Sequence, residues 1–182
     1  MSMEKILMVT ENWKALDACR AGKDECRETL RNININDQYV ESTNGKIAIR
    51  FKLESLSLPT ITPGAYKVIS ATKYDKMFTE LVLELEPDVQ YPDTKKIFPE
   101  NRTAGEKLTI EILPERSAPL NISSAMIQIF KLTGNAYTHE NISTFAVLKA
   151  YWSIYNQGKN RAIYLTNSAG TIETLVMPFK IN

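Results

Sequence analysis

Two short runs, 37–42 and 46–53, flank Thr43-Asn44-Gly45. An Asn-Gly pair supplies the backbone freedom a tight turn demands, so this stretch is expected to be a β-hairpin. Its second run, Ile-Ala-Ile-Arg-Phe-Lys-Leu, alternates only in part. One face of that strand is therefore expected to be well buried. A hairpin of this kind needs further strands or helices to cover its apolar face.

Candidates for those elements run along the rest of the chain. Residues 5–10 form a short apolar run, while 81–86 and 107–113 alternate cleanly. Residues 161–166 and 171–178 read as two strands joined by Asn167-Ser-Ala-Gly170. Helical spacing covers 11–31, where Trp13, Leu16, Cys19, Cys26 and Leu30 fall near one face. Pro63 suits the first position of a short helix over 64–72. A further helix over 123–132 ends before Gly134. The last helix starts at 141 or 143 and runs to 157, with Phe145, Leu148, Trp152 and Tyr155 as its apolar set and Gly158 as its stop.

Residues 87–105 carry prolines, charges and Gly105, and read as a linker. The order of elements repeats on either side of it. An α+β chain with mostly antiparallel sheet in two halves, 1–100 and 101–182, is expected. At 182 residues the chain suits one ordinary domain or two small ones. With 43% apolar and 24% charged residues, disorder is excluded as its main state. No run of about 18 apolar residues occurs, so no membrane span is expected. The start has no secretory pattern, which makes the cytoplasm the expected compartment.

Catalytic chemistry finds little to work with. His139 is the one histidine, so no histidine cluster exists. Together with Cys19 and Cys26 it lacks zinc-ligand spacing. The cysteines, seven residues apart on a predicted helix, read as two small buried hydrophobes. No glycine-rich phosphate loop is present. No catalytic residue, metal site or cofactor is predicted, and the chain is not expected to be an enzyme.

Arg20, Lys23, Arg27 and Arg31 are spaced three, four and four residues apart. On a helix they share one face. Such a row either tracks phosphates without reading bases or forms a solvated face ion-paired with Asp24, Glu25 and Glu28. Net charge is only +1, so any footprint for DNA must come from placement.

Three stretches resemble the bacterial β sliding clamp family, specifically its middle and C-terminal domains. Residues 41–49 (Glu-Ser-Thr-Asn-Gly-Lys-Ile-Ala-Ile) resemble the middle-domain hairpin. Residues 91–99 (Tyr-Pro-Asp-Thr-Lys-Lys-Ile-Phe-Pro) resemble the segment leading to the last domain. Residues 175–181 (Leu-Val-Met-Pro-Phe-Lys-Ile) resemble the clamp C-terminus. The resemblance implies a DNA-clamp-like fold, with antiparallel sheets, helices on one face and two clamp-type domains. It implies a non-catalytic processivity factor that encircles or lies along double-stranded DNA without reading sequence. Partners would be a DNA polymerase or other proteins with clamp-binding motifs, and further copies of the chain in a ring. Carried over position by position, a peptide cleft at the domain seam would include Thr43, Gly45, Ile47, Pro92, Ile97, Val176, Met177, Pro178 and Phe179. Ala48 is an alternative to Ile47, because the hairpin is one residue shorter than the family's. Backbone contacts to DNA would fall to Arg20, Lys23, Arg27, Arg31, Lys67 and Lys149. A clamp-like adaptor or decoy that keeps the cleft but never encircles DNA is the alternative.

Overall fold

Period-two burial defines the first strand, β1 (Met3–Val9). Ile6 and Met8 point into the core, while Met3, Lys5, Leu7 and Val9 stay exposed. The computed structural model describes residues 3–99, 105–108, 118–138, 141, 148, 152–158 and 160–178. The chain divides into two units, Met1–Pro92 and Asp93–Asn182.

In the first unit β1 leads into α1 (Thr10–Cys19), followed by β2 (Ile33–Ile35), β3 (Tyr39–Thr43), β4 (Ile47–Lys52), β5 (Gly64–Lys73) and β6 (Phe78–Leu85). The strands lie in the order β1-β6-β5-β2-β3-β4, each pair antiparallel. α1 packs on one face of this sheet through Trp13, Ala15, Leu16 and Cys19. Ser42 on β3 ties it down by donating to the Leu16 carbonyl at 2.7 Å. Beneath the helix lie Ile6, Met8, Ile35, Val40, Ile49, Phe51, Leu81 and Leu83, all buried. Burial of aliphatic side chains on this scale contributes about 1.5–3 kcal/mol for each one.

The opposite face of β3 and β4 is polar and still buried. Glu41 accepts from the side-chain amides of Asn34 (2.7 Å) and Asn36 (3.3 Å). Arg50, directly across the ladder from Glu41, lies over the Tyr39 ring at 4.3 Å. Burial, with the Glu41 carboxylate adding to it, raises the Tyr91 phenol pKa and keeps it neutral.

The second unit contains β7 (Glu106–Leu108), α2 (Ala118–Thr133), β8 (Trp152–Asn156), β9 (Ile163–Asn167) and β10 (Ile172–Val176). Its strands follow the order β10-β9-β8-β7, again antiparallel. Trp152, Ile154, Ile163, Leu165, Leu175 and Val176 are buried here.

Three predicted helices differ from the structure. The helix expected over 11–31 stops at Cys19, where Arg20 turns extended, and a short 3-10 turn returns only at Glu28–Arg31. Between them Gly22 disfavours helix, and no side chain from 20 to 29 is buried to hold a helical face. Cys26 is accordingly exposed, whereas Cys19 is buried as expected. The helix expected over 64–72 is β5: β2 and β6 supply backbone partners on both sides, and Tyr66 is fully buried. A bulge between Val68 and Ser70 breaks the alternation and hid this strand. The end of the helix expected to reach 157 is β8, which buries Trp152 and Ile154 at period two. Residues 142–147 lie outside the described residues.

Candidate partner-docking surface

The turn between β3 and β4 satisfies its own polar groups. Thr43 Oγ1 donates to the Ile47 carbonyl (2.8 Å) and accepts from Gly45 N–H (3.0 Å). Asn44 Oδ1 accepts from the N–H groups of Lys46 (2.9 Å) and Ile47 (3.0 Å). Gly45 has φ +84°, a conformation that favours glycine. Gly45 and Lys46 are exposed, whereas Thr43, Ile47 and Ala48 are buried. Of the hairpin residues assigned to a cleft, only Gly45 therefore offers surface.

Arg27 shares that surface. A methyl group at Gly45 would come within 2.9 Å of the Arg27 guanidinium, so the guanidinium lies directly on the turn. It is held there by Glu25 through Nε–Oε1 (2.9 Å) and Nη2–Oε2 (3.3 Å). Hydrogen bonds from Arg27 pull the Glu25 carboxyl down to about 2. The family resemblance implied a DNA role for Arg27, and helical spacing missed this contact, which depends on a loop folding back onto a distant turn.

The other arginines of the expected stripe are also engaged. Arg20 stacks on Trp13 at 5.2 Å, pairs with Asp17 and donates to the Arg31 carbonyl at 2.8 Å. Arg31 donates to the Glu25 carbonyl at 2.7 Å and pairs loosely with Glu28. Arg20, Lys23, Arg27 and Arg31 thus build a folded loop rather than a row of cations on a helix, because the helix ends before them. Lys67 lies on β5 opposite Glu84, on the sheet face away from α1. Lys149 lies outside the described residues. α1 itself carries Lys14 against Glu11 and Asp17, and Lys131 is the one charged residue of α2.

In the second unit, Ile97 and Met177 are exposed, at 54% and 46%. Val176 is fully buried and Pro178 half-buried; Phe179 lies outside the described residues. Pro92, at the end of the first unit, is exposed. Among the described residues no group of three or more His, Cys, Asp or Glu is placed to hold a metal ion. No described helix is long and apolar enough to cross a membrane.

No family model matches the sequence, and no curated protein matches it either. Solved structures do match. The DNA polymerase III subunit beta of Borrelia burgdorferi superposes with a TM-score of 0.59 at 13% identity, covering 98% of this chain. The Helicobacter pylori beta clamp gives 0.58 at 12% identity and 100% coverage. The chain has the sliding-clamp fold. The DNA polymerase sliding clamp of Bacillus subtilis agrees, with a TM-score of 0.57 at 11% identity over 98% of this chain. This chain spans 65–67% of the length of those three proteins. Within the sliding-clamp fold, the antiparallel sheets and the helix packed on one sheet face agree with the α+β expectation.

Proposed function

We propose that the chain is a non-catalytic, cytoplasmic, sliding-clamp-like processivity factor. It associates with itself, lies along or around double-stranded DNA without reading sequence, and docks peptides from a DNA polymerase or related partners. The observation that carries this reading is the clamp fold over nearly the whole chain. Peptide docking is assigned to Thr43, Gly45, Ile47, Pro92, Ile97, Val176, Met177, Pro178 and Phe179. Exposed Ile97 and Met177 offer the adaptable apolar contacts that varied peptides need. Retention on closed-circular but not linearised DNA tests the reading, and equal retention on both rejects it. Met177→Ala and Phe179→Ala should each weaken a polymerase-derived peptide about tenfold, as expected for anchor residues. Unchanged affinity in both rejects the docking surface.

A second reading, a clamp-like peptide adaptor that does not encircle DNA, is favoured by charge. Neither α1 nor α2 carries a cationic face, and the arginines of the 20–31 loop are already hydrogen-bonded. Peptide binding without any retention on circular DNA is the outcome that selects it.

A further inference from the structure

Asn44 and Gly45 form the only Asn-Gly pair in the sequence. Among the described residues three asparagines, Asn36, Asn44 and Asn167, hold two backbone N–H groups on Oδ1. At Asn44 the donors are Lys46 (2.9 Å) and Ile47 (3.0 Å). Paired donors polarise a carboxamide carbonyl and make its carbon electrophilic, as in an oxyanion hole. The three asparagines differ in what surrounds that carbon. Asn36 Nδ2 donates to Glu41 at 3.3 Å and Asn167 Nδ2 to Thr171 at 3.0 Å, so both of these amides are held. Asn44 Nδ2 has no acceptor among the described residues. Asp37 follows Asn36 and Ser168 follows Asn167, whereas Gly45 has no side chain to shield its nitrogen. Gly45 is exposed and Asn44 half-buried, so water reaches the turn.

We propose that Asn44 is a site of spontaneous modification, converted without an enzyme to aspartate and isoaspartate through the Gly45 backbone nitrogen. The Gly45 N–H, which donates to Thr43 Oγ1, loses its proton to hydroxide. The nitrogen attacks Asn44 Cγ, and the two N–H donors on Oδ1 stabilise the negative charge that gathers there. Nδ2 takes a proton from water and leaves as ammonia, which closes a five-membered cyclic imide. Water then adds to one of the two imide carbonyls. Cleavage between Cγ and the nitrogen gives aspartate. Cleavage at the main-chain carbonyl leaves the chain running through Cβ and Cγ, which is isoaspartate. One water is consumed and one ammonia released, and nothing is oxidised or reduced. The products differ in structure. Aspartate keeps an oxygen for the Lys46 and Ile47 N–H groups and adds a negative charge next to the glycine on which Arg27 rests. Isoaspartate draws Cγ into the main chain, so both N–H groups lose their cap and the turn gains a backbone atom.

The chemistry belongs to the turn alone and is independent of DNA or peptide binding. The full chain is kept folded in mildly alkaline buffer at physiological temperature and sampled over weeks by tryptic mapping. The tryptic peptide 32–46 contains both Asn36 and Asn44, so fragmentation reads the two positions side by side. Aspartate and isoaspartate are expected at Asn44, with a rate at least about tenfold above those of Asn36 and Asn167. The same chain unfolded in guanidinium supplies the rate without the polarising donors. Conversion of the folded chain at Asn44 should equal or exceed it. Lys46→Pro removes one of the two donors on Oδ1 and should slow conversion of the folded chain at least about tenfold, with folding checked by circular dichroism. The comparison of folded with unfolded chain uses no variant and stands by itself where Lys46→Pro does not fold. Slower conversion in the folded than in the unfolded chain, a main site other than Asn44, or a folded Lys46→Pro chain that converts at an unchanged rate overturns the proposal.

Discussion

Gly45 combines a positive φ with a guanidinium resting on its Cα. Gly45→Ala should therefore lower stability by roughly 1–2 kcal/mol, the usual penalty for a side chain in left-handed backbone. The displacement of Arg27 adds to it. Urea denaturation should shift in midpoint with an unchanged slope. Glu41→Ala acts differently, since it leaves the Asn34 and Asn36 amides without their buried acceptor. A loss of about 1–3 kcal/mol is expected, read by the same denaturation series. The turn was legible in the sequence because Asn-Gly chemistry is local. The place of Arg27 was not, because it is decided by how residues 20–31 fold back after the helix has ended. The same holds for Ile47: the hairpin was legible, but the burial of that side chain depends on what packs over it.

At the level of elements, period-two patterns were read well where nothing interrupts them. β6, β9 and β10 lie close to their expected spans. β5 was lost because a bulge shifts its alternation, and β8 because Trp152 and Tyr155, three residues apart, imitate a helical face. α1 was recognised but extended too far, since Cys26 and Leu30 fall at helical spacing by chance. The helix is held mainly by what it covers. It lacks a side-chain cap at its start, and Leu16 is fully buried. Leu16→Ala should cost about 2–5 kcal/mol and lower the thermal midpoint by several degrees, measured by circular dichroism. A loss below about 0.5 kcal/mol would mean that α1 does not pack as described.

For the whole molecule, the resemblance carried by three short stretches pointed to the fold that the structural comparisons find. Identity of 11–13% explains why so little of the sequence carries that signal. The proline-bearing, charged segment 87–105 contains the point where the two units divide, between Pro92 and Asp93. Charge placement was legible only in part: pairing with Glu25 and Glu28 was one of two readings of the 20–31 row, but the helix that was to carry the row ends before it. Few described cations are free on the helices, so the DNA affinity of the processivity reading should depend only moderately on salt. A log–log slope no steeper than about −3 is expected in a titration from low to moderate ionic strength, since each neutralised phosphate adds about −0.9. A slope near −8 would require a cationic surface that α1 and α2 do not provide.

The two thiols give the protein a built-in clock. Cys26 is exposed, whereas Cys19, the last residue of α1, is buried, and burial raises its pKa and keeps it as the unreactive thiol. A disulfide reagent should consume one thiol per folded chain at once and the second only as α1 lifts from the sheet. The rate of that second reaction counts helix openings under native conditions. Repeated with Leu16→Ala or with a docked peptide, it tells whether each change acts on that local opening or on the unfolding of the whole unit.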